Sequence, residues 1–382
     1  MQEFEFSIPQ SVLFGSGSLK RLPDAVKRLG ANKVFIISGP HLYKCGAVSK
    51  CLDTLKEQGI PCDVFTDTEA NPGTDTVEKA TKMFKSSGAD CIVAFGGGSP
   101  IDLAKAVAVV SRYGGSITDY EGSGTVPGHV VPIIAIPTTA GTGSEVTSFS
   151  VITDHKRNYK LTVSSNYLIP AYAILDPELI TTVPQKTASA CGIDAMVHAL
   201  EAYVSVAASP FSEIFSLKAL ELIGRSIRDY VKDRNDISAA EDMLMGSLFA
   251  GIAFSHARLG NVHAMSHPVS AYFDVPHGIA NAILLPVVVE FNMKTDTGKY
   301  YEIYKRIAKE VCIKEAFKPE MLVAEIRKLN NELGIPHGLE EVGVQKGYFE
   351  KMATDAMKSG NIKVNPRKTG FEDVLSIYEN AF

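Results

Sequence analysis

The sequence predicts an α/β domain followed by a mostly α-helical one. Up to about residue 180, short continuous apolar runs alternate with helical stretches, the arrangement that builds a parallel sheet from βαβ units. After Val183 and Pro184 the strand-like runs almost disappear and long segments of helical character follow. The boundary is placed at Pro184, giving residues 1–184 and 185–382. A chain of 382 residues buries a sizeable core in each part without disulfides.

Strands are expected at residues 34–38, 62–65, 91–95, 132–136 and 173–175, mostly unbroken apolar runs suited to a sheet covered on both faces. Between the second and third, residues 75–87 carry apolar positions at helical spacing, with Gly88 as the stop. In the second part, helices are expected at 187–206, 211–231 and 237–254.

Composition narrows the class. Hydrophobic residues make up 45%, and 38 Lys+Arg against 43 Asp+Glu leave a net charge of -5 without a basic block, which argues against nucleic acid as a partner. The run at 279–289 is broken by Asn281 and Pro286 and falls short of the roughly 20 residues of a membrane span, so no membrane is expected. The opening MQEFEFSIPQ has acids where a signal peptide has bases. Six cysteines without a CxxC pair suit a reducing compartment, and a cytoplasmic location is expected.

Two glycine-rich segments follow apolar strands. Gly96-Gly97-Gly98-Ser99-Pro100 opens a helix after Phe95, where close backbone approach and unpaired first-turn N–H groups suit a phosphate; Ser99 is expected to cap the helix and Asp102 to complete that cap. Neither GxGxxG nor GxxxxGK[ST] is present. The second segment runs from Pro137 to Thr147 and offers hydroxyls at Thr138, Thr139, Thr142 and Thr147, equally suited to a ligand or to capping its own backbone.

The sharpest chemical signal is five of the nine histidines lying within residues 198–277. Asp194 and His198 are four apart, hence on one helical face, and so are His263 and His267; His277 follows ten residues later. One carboxylate with several imidazoles is the ligand type of a divalent transition metal. Spacing leaves open whether His267 or His277 completes the set, and whether Fe²⁺ or Zn²⁺ is bound. His256 is read as an outer or surface residue.

These motifs occur in one order along the whole chain, from Val12-Leu13-Phe14-Gly15 to Asn365-Pro366-Arg367, and in that combination the sequence resembles the iron-dependent (group III) alcohol dehydrogenase family, which includes lactaldehyde reductase and propanediol dehydrogenase. The resemblance implies a Rossmann-like N-terminal domain, an all-helical C-terminal domain and a site in the cleft between them. It further implies metal ligation by Asp194, His198, His263 and His277, with His267 beside nicotinamide and substrate in the proton path. Gly97, Gly98 and Ser99 would cradle the pyrophosphate, with Asn71, Thr138, Thr139, Thr142, Thr147, Lys160 and Leu179 around the cofactor. The implied reaction is hydride transfer between NADP or NAD and a small alcohol or aldehyde, by a homodimer or larger homo-oligomer.

Departures from the family pattern also matter. NAD-preferring members often carry an Asp just after the strand at 34–38, where this chain has Gly39-Pro40-His41; without that acid a 2′-phosphate is not repelled, and NADP(H) is the expected cofactor, with His41 or Lys44 as donor. Residues 360–364 lengthen the approach to Asn365-Pro366-Arg367 relative to the family pattern, so pocket contacts there are not carried over. Phe149, Phe254 and Leu259 are candidates for an apolar pocket, and Arg258 for an anionic substrate group or an ordinary helix-end ion pair. The competing readings are a zinc polyol (glycerol-type) dehydrogenase, a dehydroquinate synthase-like lyase, and a non-catalytic metal or nucleotide binder.

Overall fold

The computed structural model describes residues 3–157 and 159–382, so the first two residues of the opening segment lie outside it. The chain divides into two compact units: Ile8–Thr139 with Gly143–Thr182, and Val183–Phe382 with Ala140–Thr142 and the described part of Met1–Ser7. The second unit thus takes in two short stretches that precede the expected boundary.

Among the described residues the first unit is built on nine strands: β1 (Ser11–Phe14), β2 (Val34–Ile37), β3 (Cys62–Phe65), β4 (Cys91–Gly96), β5 (Gly122–Ser123), β6 (Ile133–Pro137), β7 (Phe149–Asp154), β8 (Tyr159–Ser164) and β9 (Tyr172–Leu175). Six of them form a parallel sheet in the order β1-β9-β6-β4-β2-β3. Its helices are α1 (Leu22–Arg28), α2 (Pro40–Lys44), α3 (Ala47–Lys56), α4 (Thr74–Ser87) and α5 (Gly98–Tyr113). Alternate residues of each central strand feed opposite cores: Phe35, Ile37, Ile92 and Ala94 pack with α4 and α5, while Val34, Ile36, Cys91 and Val93 pack with α1 and α3. That two-sided burial is why these strands read as unbroken apolar runs.

Two features lie beyond the expected set of strands. Edge strand β1 exposes Ser11, Val12 and Phe14 and buries only Leu13, so its run is too short and too mixed to stand out. The antiparallel pair β7–β8, joined by β5, forms a separate three-stranded sheet of alternating, half-buried residues.

The second unit is helical: α6 (Gln185–Val204), α7 (Pro210–Lys232), α8 (Ile237–Ala257), α9 (Asn261–Phe273), α10 (His277–Asn292), α11 (Lys299–Ile307), α12 (Pro319–Glu332), α13 (Phe349–Ala356) and α14 (Phe371–Asn380). Ser209 caps α7 through a reciprocal bond with Ser212, and Asp236 caps α8. Among the described residues α8 is the helix long and apolar enough to cross a membrane; here it packs against α6 and α7, which accounts for its composition.

Candidate functional site

In the sheet unit, parallel register sets the C-terminal ends of three neighbouring strands side by side, with Ile37 beside Ala94 and Gly96 beside Pro137. The loops that leave them carry Gly39, then Gly97, Gly98 and Ser99, then Thr138 and Thr139. This is the edge at which open parallel sheets bind ligands. Thr138 donates its N–H to the Gly96 carbonyl, and a Cβ on Gly97 would come within 3.2 Å of Thr139 Oγ1, so the two glycine-rich loops touch.

The expected cap is not formed. Helix α5 begins at Gly98 with Gly97 as its cap residue and no side-chain bond to the first turn. Ser99 Oγ instead accepts from the Asn71 N–H, while Asp102 accepts from Ser144 Oγ at 2.6 Å and from the Val151 N–H. The side chains chosen as caps are spent on tertiary contacts, which leaves the first-turn N–H groups uncapped, as a phosphate site requires. Asn71, in a left-handed conformation (φ 55°), accepts at Oδ1 from Lys160 Nζ at 2.8 Å and so joins Ser99 and Lys160.

Behind this edge lies a polar knot that sequence reasoning missed. Lys105 is fully buried on α5, and its ammonium reaches the carbonyls of Ser144, Thr147 and Phe149 at 2.7, 2.8 and 2.7 Å and the hydroxyls of Ser144 and Thr147. Burial pushes Lys105 down to about 8 and Glu145 beside it up to about 7; it raises Asp102 as well, against the pull of Lys105. Thr147 therefore helps to shape the loop from beneath. Leu179 is part of the apolar core, and Thr142 groups with the helical unit.

In the helical unit, Asp194 and His198 come from α6, His263 from α9 and His277 from the first residue of α10. Asp194 Oδ1 lies 3.9 Å from His198 Nε2, 3.7 Å from His263 Nε2 and 3.9 Å from His277 Nε2. The donor atoms of Asp194, His263 and His277 all fall within 4.8 Å of one another. His198 is not in this threefold set and joins it through Asp194; His267 is outside it as well, exposed, with its ring stacked on His277 at a centroid distance of 5.2 Å. His277 alone of the four keeps an accessible side chain, 30% exposed against at most 6% for the others.

The electrostatics suit a cation. Burial alone would raise Asp194, but His198, His263 and His277 outweigh it and hold the carboxyl well below the ordinary range. Burial pushes His198 down to about 4, leaving it neutral with a free lone pair. Its Nδ1 lies 3.3 Å from the Gly141 carbonyl, which as acceptor fixes the tautomer that turns Nε2 inward. Gly141 permits this approach, since a Cβ there would stand 2.7 Å from Cys191 Cβ and 3.0 Å from its backbone. Burial also opposes charge on His263, yet hydrogen bonds to Asp194 and Glu201 carry it up to about 9.

Glu201 is a second residue missed from sequence. It sits two helical turns beyond Asp194 on α6, buried, and accepts from His263 Nδ1 at 2.6 Å and from the Val262 N–H at 2.7 Å. A carboxylate behind an imidazole orients it and raises its basicity toward a metal. The seven-residue spacing from Asp194 was the available signal. Further out, Asn365 bonds the Asn261 N–H and Asn292, and Arg367 donates to the Phe291 carbonyl, so the C-terminal Asn-Pro-Arg ties α9 to α10.

Among the pocket candidates, Phe254 is buried and stacks on His198 at 4.5 Å, Leu259 is buried nearby in sequence, and Phe149 lends its carbonyl to Lys105. Arg258 adopts φ 62° at the end of α8, with its guanidinium against Gly360, and forms no ion pair among the described residues. His256 packs on Phe6 with centroids 4.5 Å apart.

Comparison with known proteins agrees with this geometry. Residues 9–177 match the family described as iron-containing alcohol dehydrogenase, and residues 188–382 match the C-terminal part of the Fe-containing alcohol dehydrogenase family. The chain is 35% identical over 377 residues to the NAD-dependent methanol dehydrogenase of Bacillus methanolicus, covering 98% of this chain and 99% of that one. It is 35% identical to the 1,3-propanediol dehydrogenase of Citrobacter freundii, covering 99% of both. A solved structure of a 1,3-propanediol oxidoreductase superposes over the full length of both chains with a TM-score of 0.96. The matches lend no support to a zinc glycerol-type dehydrogenase or a dehydroquinate synthase-like lyase.

Proposed function

The chain belongs to the iron-containing alcohol dehydrogenase family and is an oxidoreductase; on that premise we propose that it transfers hydride reversibly between a nicotinamide dinucleotide and a short alcohol or aldehyde. The observation that carries this reading is the mutual approach of the Asp194, His263 and His277 donor atoms, with His198 Nε2 3.9 Å from the same Asp194 oxygen and a tautomer-fixing acceptor behind His198 and another behind His263.

The donor set fits a divalent ion of the Fe²⁺ or Zn²⁺ type: one anionic oxygen and three nitrogens, all but His277 buried. Such an ion supplies Lewis acidity toward the alcohol or carbonyl oxygen. The protein's own residues do the rest. Asp194 contributes the one formal negative charge, Gly141 and Glu201 hold His198 and His263 in orientation, and Phe254 lends an apolar wall beside His198. His267, exposed and stacked on His277, exchanges a proton with solvent through its imidazole.

The uncapped turn at Gly97, Gly98 and Ser99 receives the pyrophosphate, with Asn71, Thr138, Thr139 and Lys160 around it. At the ribose end, Gly39 offers no acid to repel a 2′-phosphate, and exposed His41 and Lys44 follow it, which supports NADP(H). The free cysteines suit a cytoplasmic location, and family resemblance suggests a homodimer or larger homo-oligomer.

The test is anaerobic turnover of metal-stripped protein reconstituted with Fe²⁺ or Zn²⁺, following reduced-nicotinamide absorbance with NADPH and NADH against short aldehydes. Metal-dependent oxidation of either cofactor is the expected result; no turnover with either metal would overturn the assignment.

A further inference from the structure

One turn after His277 on α10 stands Asn281, fully buried. Its amide nitrogen lies 2.7 Å from Asp194 Oδ1, 3.1 Å from His263 Nε2 and 3.1 Å from His277 Nε2. Three donor atoms of the metal set therefore converge on one NH₂ group. That group has two hydrogens, so it satisfies at most two of the three acceptors at once. The other end of the amide, Oδ1, is buried with no hydrogen-bond partner among the described residues. An orphaned buried carbonyl oxygen costs free energy, and a metal centre is a place where such a cost has a use.

We propose that Asn281 is the positioning residue of this centre. Its amide holds the donor atoms of Asp194, His263 and His277 together around one point when no ion is present and releases them when one is bound. Without the amide, the Asp194 oxygen and the imidazole nitrogens 3.7 and 3.9 Å from it would lose the group that touches all three in this buried space. A cation held by Asp194, His263 and His277 would require the neutral imidazoles, with the His263 proton released to solvent, and its charge would repel the amide N–H groups. Rotation about Cβ–Cγ then exchanges nitrogen for oxygen within one footprint, turning the unpartnered Oδ1 toward the positive charge. A neutral amide does this without adding to the charge of the site, which a carboxylate at 281 could not.

The inference rests on the metal-centre reading, and the experiment separates the two. Metal-stripped full-length protein is titrated with Co²⁺ against a competing chelator, read by the visible absorption of the bound ion. The variants are Asn281→Leu, which keeps the shape but has no polar atoms, and Asn281→Ser, which keeps one donor. The expected result is a Co²⁺ dissociation constant raised about 10–100-fold in Asn281→Leu and by less in Asn281→Ser, in the range found for outer partners of metal ligands. The Co²⁺ spectrum should shift as well, which a purely packing role would not cause. Unchanged or tighter binding in Asn281→Leu would overturn the proposal, and if that variant fails to fold, unchanged binding in Asn281→Ser does so. Absence of Co²⁺ binding by the unaltered protein would instead overturn the metal-centre reading itself.

Discussion

The two units assemble their candidate sites by opposite means. In the sheet unit, the ligand-facing groups are backbone N–H groups and hydroxyls on loops that leave β2, β4 and β6 at one edge, and a single buried ammonium, Lys105, ties the loop at 144–149 to α5. In the helical unit, the groups are side chains delivered by three helices, two of them aimed by a partner behind: Gly141 behind His198 and Glu201 behind His263. A loop site of the first kind depends on backbone shape, which contiguous sequence encodes. A side-chain site of the second kind depends on helix packing, so its members are scattered along the chain.

Substitutions can break the contrast. The largest effect is expected from Asp194→Ala, which removes the only carboxylate among the four candidate ligands: metal content should fall to background and turnover by about 10³-fold or more, with the sheet unit intact by reduced-cofactor binding. Retained metal with retained turnover would dismiss this carboxylate from the centre.

Lys105→Met sharpens the other side. It strands three carbonyls that now accept from one ammonium, and should destabilise the chain by about 3–5 kcal/mol in urea denaturation and weaken cofactor binding. Metal content at low temperature should be unchanged, because the knot belongs to the sheet unit. A loss below about 1 kcal/mol would show that Lys105 does not hold the loop.

Next in size is a pH effect at Glu145. Its folded-state value, raised to about 7 from 4.5, means the folded protein holds this proton more tightly than the unfolded one. The associated stability is fully present below about pH 4.5 and is lost as pH rises through 7, up to about 3 kcal/mol. Denaturation at pH 5 and 7.5 should show the decline, and Glu145→Gln should flatten it; equal slopes in both proteins would assign it elsewhere.

The smallest expected effect is Gly39→Asp. The residue has an ordinary extended backbone (φ −92°, ψ 158°), and a Cβ would meet only the Thr68 carbonyl at 3.5 Å, so the change should be tolerated. An acid here should move the ratio of kcat/KM for NADPH over NADH down by about tenfold, about 1.4 kcal/mol. An unchanged ratio would show that position 39 does not meet the ribose.

Much of this organisation was legible in advance. The four inner strands β2, β4, β6 and β9 could be read because burial on both faces makes their apolar runs continuous, whereas edge strand β1 could not, since three of its four residues are exposed. Asp194 and His198 announced themselves by spacing on one helix, but the reading of Ser99 and Asp102 as a cap failed because each had a stronger partner far along the chain. Glu201 and Asn281 lie seven and four residues from candidate ligands, a helical signal that was present and unused.

By itself, the sequence determined the order of the units, the glycine-rich turn after β4 and the residue types of the metal set, all of which follow from local periodicity and chemistry. Only the tertiary structure decided which histidines converge. His267 and His277 are both within reach of His263 along the chain, and nothing in the spacing separates them. The turn ending at Pro276 starts α10 at His277 and brings its Nε2 to 3.9 Å from Asp194, while His267 is left on the exposed side of α9. Convergence is a property of helix packing, which depends on the whole buried surface rather than on any one segment.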